Sequence, residues 1–181
     1  MPPSSRKFRR STRRSRLGAW WLLWRVPTLL LVVMALWWFL FRPIAQEQGW
    51  VEVTTSFAIC AEPGPRAQGC VVDGDTVVVG FGGEQRRIRL TGFDTPEFDG
   101  ACEAERELAR VARARLHRWL NRGAFEWNGA DDPPRDRYGR ELRKVRRVAP
   151  NGSREYLAET MIAADLASKS GWGAERIDWC D

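Results

Sequence analysis

One apolar block, residues 17–41, constrains this chain more than any other feature. A basic run over 6–16 precedes it, and only Arg25 and Pro27 interrupt it. The part from 26 to 41 is apolar on all sides, so it has no polar face for water and does not suit an amphipathic surface helix. Those 16 residues would rise about 24 Å as a helix, short of a hydrocarbon core of roughly 30 Å. Starting at Ala19 extends the rise to about 34 Å and puts Arg25 near an interface, where its stem can snorkel. Trp20, Trp21 and Trp24 suit one interface, and Trp37 and Trp38 approach the other. The positive flank, 1–18, stays in the cytoplasm, so everything after 41 is expected on the far side. A cleaved signal peptide is the alternative. It needs a small-x-small site, and the chain reads Phe41-Arg42-Pro43-Ile44-Ala45 instead. The expectation is an uncleaved single-pass anchor over 19–41 in the cytoplasmic membrane, with secretion after cleavage as the other possibility.

The overall charge of +6 invites a nucleic-acid reading until the charge is located. Nine Lys or Arg and no Asp or Glu lie in 1–42, leaving 20 basic against 23 acidic residues in 43–181. The basic excess belongs to the membrane-directed segment. Any nucleic-acid function must rest on local residues.

All four cysteines, Cys60, Cys70, Cys102 and Cys180, follow the apolar block, on the expected oxidising side. An even count there reads as disulfides. Three connectivities are possible. Cys60–Cys70 is favoured as a local link just before a strand, and Cys102–Cys180 as a tie between the C-terminal tail and a helix start. Zinc is the rival, but there is no Cys-x-x-Cys pair and His117 is the only histidine.

Residues 42–69 read as a linker and irregular lead-in, with weak alternation at Val51, Val53 and Phe57. From Cys70 the pattern sharpens. Val77, Val79 and Phe81 alternate, Gly82-Gly83 makes a turn, and Ile88 and Leu90 alternate with Arg87 and Arg89. This predicts a hairpin with a polar, basic face. Leu108, Ala112, Leu116 and Leu120, with Val111 and Trp119 on the same side, predict a helix over about 101–121. Gly123 is placed to end it. Strands are expected at Phe125 to Trp127 and at 142–148, and a second helix over about 156–168. The order of short strands, helix, strands and helix is an α+β pattern, and it suits a small curved antiparallel barrel over 70–181.

Three clusters carry chemistry. Val72-Asp73-Gly74-Asp75-Thr76 sets two carboxylates about a glycine, which alone reads as a turn. Arg89-Leu90-Thr91-Gly92-Phe93-Asp94-Thr95-Pro96-Glu97 leaves a strand and gathers oxygen ligands of the kind a hard divalent cation needs. Asp136-Arg137-Tyr138-Gly139-Arg140 offers a planar guanidinium that can fork onto a phosphate.

Together and in this order, these stretches resemble the staphylococcal nuclease (thermonuclease) family over about 70–172. The resemblance implies an OB-fold, a five-stranded antiparallel β-barrel with two packed helices. It implies Ca2+ held by the carboxylates of Asp75 and Asp94 and the carbonyl of Thr95, with Glu97 as general base. Arg89 and Arg140 would clamp the scissile phosphate, and Tyr138 would help hold a nucleotide phosphate. The implied substrate is DNA, single-stranded favoured, or RNA, cut to leave 3′-phosphate ends by a monomer. Nucleases that use a histidine base are excluded, because His117 lies mid-helix beside Arg115 and Arg118 and is expected on a solvated surface.

The chain also departs from the family. The loop before the first helix is short, 98–101, and the type member's third helix has no counterpart. Its nucleotide-packing tyrosines are unmatched, and Trp172 is either a substitute stacking surface or core. A non-catalytic OB-type module binding nucleic acid or protein is the alternative. Loss of Arg89, Glu97 or Arg140 would mark a decayed site, and all three are present.

Overall fold

The computed structural model describes residues 16–42, 49–62, 67–171, 173–175 and 177–181. Trp172 and the basic residues before Arg16 lie outside the described residues. The chain divides into two compact units, Met1–Gln48 and Gly49–Asp181.

The first unit contains helix α1 (Arg16–Leu36), which runs on into a π-helical turn at Trp37–Phe41. Pro27 lies inside α1 and can donate no backbone hydrogen bond. The Thr28 hydroxyl donates to the Trp24 carbonyl at 2.7 Å, within the same stretch. Every side chain from Trp24 to Arg42 is exposed. Trp24–Phe41 is apolar enough to cross a membrane or to serve as a signal sequence.

The second unit is a mixed α+β structure. Its strands are β1 (Val51–Val53), β2 (Phe57–Ile59), β3 (Gly69–Val71), β4 (Thr76–Val79), β5 (Arg86–Leu90), β6 (Phe93–Asp94), β7 (Phe125–Trp127), β8 (Glu141–Arg143), β9 (Val145–Val148), β10 (Arg154–Tyr156) and β11 (Ser168–Lys169). Its helices are α2 (Glu103–Asn121) and α3 (Leu157–Ile162).

The expected closed antiparallel barrel is not what the strands form. They pair as a five-stranded sheet, β2-β3-β4-β5-β8, a four-stranded sheet, β1-β7-β9-β10, and a two-stranded ribbon, β11-β6. The β2–β3 and β5–β8 pairs are parallel. A parallel pair needs a crossover connection. Between β5 and β8 that connection includes α2 and β7. Residues 141–148 serve both larger sheets: β8 pairs with β5, while β9 pairs with β7 and β10. Lys144 sits at the change of sheet, and its carbonyl accepts from the Asn128 N–H at 3.1 Å. The weak alternation at 51–57 becomes β1 and β2, with Val53 and Phe57 buried.

Helix α2 packs one stripe, Ala109, Ala112, Leu116, Trp119 and Leu120, into the core. Val111 was expected on that stripe and is instead exposed. At 3.6 residues per turn, it projects from the other side of the helix. His117 is a second correction, because it is half-buried rather than solvated. Its Nε2 lies 3.0 Å from the Phe57 carbonyl oxygen. Asn121 also grips Phe57, accepting its N–H and donating to its carbonyl. These bonds satisfy the unpaired edge of β2. The second helix, α3, is shorter than expected and gives way to turns at Ala163.

Both disulfides pair as expected, Cys60 with Cys70 and Cys102 with Cys180. Among the described residues no cysteine is free, so the sulfur ligands of a zinc site are absent.

Candidate active site

The β3–β4 turn is built on its own carboxylate. The Asp73 side chain accepts the Asp75 N–H at 3.1 Å, an Asx-type turn. Gly74 is required by close approach: a Cβ there would lie 2.7 Å from the Thr95 hydroxyl oxygen. Without that side chain the turn rests directly on the 94–97 loop. The Asp75 carboxylate is therefore buried, and it accepts the Thr76 hydroxyl at 2.9 Å.

Strand β5 supplies the cation. Thr76 is paired with Arg89, and the Asp75 carbonyl accepts the Leu90 N–H at 2.7 Å. That register brings the Arg89 guanidinium to Asp75, with Nη2 to Oδ2 at 2.8 Å and Nη1 to Oδ1 at 3.2 Å. The same guanidinium contacts Asp94. Burial pushes the Asp75 carboxyl up to about 8, and neighbouring Asp73 pushes the same way. Arg89 and the Thr76 hydroxyl pull it down, and they do not win.

The exit loop turns at Gly92 (φ +101°), which favours glycine, and β6 then pairs Asp94 with Ser168. Phe93, Thr95 and Pro96 are buried, while Asp94 and Glu97 are left facing outward. The Glu97 carboxyl is raised from its ordinary value, first by loss of hydration and then by Asp73. Asp94 and Asp99 add to the rise, and Arg89 opposes it.

The third cluster is a separate local network. The Arg140 Nε donates to Asp136 Oδ2 at 2.7 Å. Asp136 Oδ1 accepts the backbone N–H groups of Tyr138 and Arg140, each at 2.9 Å. Burial pushes the Asp136 carboxyl upward, but the bonds from Arg140 and Tyr138 outweigh it and hold the group below its ordinary value. Tyr138 is largely exposed, and the Arg137 and Arg140 guanidiniums lie 4.7 and 5.5 Å from its ring centre. No direct contact joins this network to Asp75, Arg89 or Asp94 among the described residues. The β5–β8 pairing alone sets them side by side.

A cleft of about 470 Å³ opens beside Asp94, Thr95 and Glu97. Its far wall includes Lys169 of β11 and Ile177 and Trp179 of the C-terminal tail. Cys102, the residue that caps α2, is the one Cys180 bonds, so the disulfide ties this wall to the helix start. Sequence reasoning missed Asp73, Asp136 and this wall. The two aspartates stood inside the quoted motifs, and the i,i+4 spacing of Asp136 and Arg140 was a readable signal. Nothing in the spacing pointed to Ile177 or Trp179.

No family model matches the chain. It is similar to the thermonuclease of Staphylococcus intermedius, with 34% identity over 77 residues. The match covers 41% of this chain and 44% of that protein, so the chain spans less than half of the curated relative it matches. This supports a staphylococcal-nuclease-like domain. The residues that form the candidate site are those on which the motif resemblance rests.

Proposed function

We propose that the second unit is a calcium-dependent nuclease that hydrolyses phosphodiester bonds of DNA or RNA and leaves 3′-phosphate ends. One observation carries the reading: a single guanidinium, Arg89, contacts both Asp75 and Asp94 beside the raised carboxyl of Glu97. The likeness to a thermonuclease supports it. The run 141–148, shared between the two larger sheets, supports reading them as an OB-type core.

A divalent cation fits the donor set. Several hard oxygen donors crowd round one arginine, and Asp75 is raised because burial and Asp73 are undercompensated. Asp75, Asp94 and the Thr95 carbonyl would hold the ion, which would supply electrostatic stabilisation of the negative charge on the reacting phosphate. Glu97 accepts the proton of the attacking water, and its raised affinity for protons brings it toward the operating range of a general base. Arg89 and Arg140 bind the scissile phosphate and stabilise charge that grows in the transition state. Asp75, Asp94 and Asp136 hold these arginines in orientation. Tyr138 contributes at the edge of the phosphate site.

We place the domain outside the cytoplasm, anchored through Trp24–Phe41, with secretion after cleavage as the alternative. Two disulfides support an oxidising compartment. The deciding experiment uses the oxidised full-length protein in mild detergent. Single-stranded DNA should be degraded when calcium is added, and a chelator should stop it. A protein that binds DNA but leaves it intact with calcium present would instead be the binding module.

A further inference from the structure

The basic face of the five-stranded sheet holds one more cation than the proposed chemistry uses. Ile88 and Leu90 point into the core, so Arg87 and Arg89 share the opposite face of β5. The parallel register pairs Ile88 with Glu141 and Arg89 with Leu142. Arg140 comes immediately before β8, one residue ahead of the Glu141 that pairs with Ile88. Arg87 and Arg89 are two residues apart along one strand, about 6.7 Å.

The three guanidiniums differ in what offsets their charge. Arg89 is paired with Asp75 and Asp94, and Arg140 with Asp136. Arg87 is exposed, and among the described residues its side chain has neither a hydrogen bond nor an ion pair. A carboxylate-paired arginine presents little net charge to an approaching anion. An unpaired one on the same face presents its full charge.

The geometry points to Arg87 as a binding residue for the phosphate next to the scissile one, which makes the substrate a polynucleotide strand rather than a lone phosphodiester. This rests on the nuclease reading above. The two-residue step from Arg87 to Arg89 along β5, about 6.7 Å, is of the size that separates neighbouring phosphates in an extended strand. Arg87 is exposed and, among the described residues, makes no hydrogen bond or ion pair, so its loss should leave the fold intact.

The test compares Arg87→Gln with wild type, full-length in detergent, on two substrates: a single-stranded octanucleotide and a dinucleoside monophosphate. KM for the octanucleotide should rise about tenfold at low salt with kcat unchanged. The slope of log KM against log salt should fall by about 0.7, the value of one single-strand phosphate contact. On the dinucleoside monophosphate both constants should match wild type, and Arg87→Lys should keep the wild-type slope. An unchanged octanucleotide KM and slope would overturn the assignment. An equal loss on both substrates would place Arg87 on the scissile phosphate and overturn it too. If wild type cleaves neither substrate, the nuclease reading fails first and this assignment falls with it.

Discussion

The two arginine clusters are built in opposite ways. Asp75, Arg89 and Asp94 meet through sheet register, and Asp75 is 2% exposed. Asp136, Tyr138 and Arg140 meet within one turn of chain, and Tyr138 is 68% exposed. In the first cluster the fold makes the site, so site and stability are linked. In the second a local loop makes it, so binding can change while the core stands.

The largest expected break comes from Arg89→Ala. It removes the guanidinium that faces the buried Asp75 carboxyl, which burial already pushes up to about 8, and leaving a buried polar group without its partner costs roughly 1–3 kcal/mol. Urea denaturation should show that loss, together with activity too low to measure. A variant as stable as wild type would erase the contrast between the clusters. Next is Glu97→Gln. Its side chain is exposed, so stability should stay within about 0.5 kcal/mol. Turnover should fall roughly 10²- to 10⁴-fold. Full turnover in this variant would remove Glu97 as the base.

Replacing both Cys102 and Cys180 with Ser frees the tail that walls the cleft beside the first cluster. Calorimetry should register a loss of about 3–5 kcal/mol for so long a loop. Arg140→Lys sharpens the other side of the comparison. It keeps the charge and loses the planar fork, so kcat/KM should fall about tenfold to a hundredfold while the melting temperature barely moves. A large drop in melting temperature would show the local loop to be part of the core.

The smallest effect is on pH. Asp136 titrates below its ordinary value, so its contribution to stability is present above the usual aspartate range. It is lost as pH falls through the lowered folded value. The melting-temperature gap between wild type and Asp136→Asn should therefore be open at neutral pH and close on acidification. A gap that is constant with pH would mean that the Arg140 bond does not govern this carboxyl.

Much of the site was legible because its parts are short runs of sequence. Gly74 between two aspartates, Pro96 before Glu97 and the i,i+4 pair Asp136 and Arg140 are local patterns with local causes. The hairpin that carries Arg89 was legible for the same reason, since Val77, Val79, Ile88 and Leu90 alternate on one face. His117 was misread because its surroundings come from far along the chain. Only when β2 lies against α2 does the Phe57 carbonyl reach the imidazole. Val111 failed for a smaller reason: one residue from Ala112, it sits about 100° round the helix from the buried stripe.

The sequence by itself determined which residues carry reactive side chains, which segment suits a membrane, and where the long helix and the β4–β5 hairpin lie. Those follow from side-chain type and short-range periodicity, which need no knowledge of distant neighbours. Only the tertiary structure decided that β2 and β8 run parallel to their partners, and that the strands form separate sheets instead of a closed antiparallel barrel. It alone decided that Asp75 is buried against Arg89 and that the disulfide-tied tail walls the cleft. Pairing direction, burial and the offset of one charge by another depend on what folds alongside, and no local pattern encodes that.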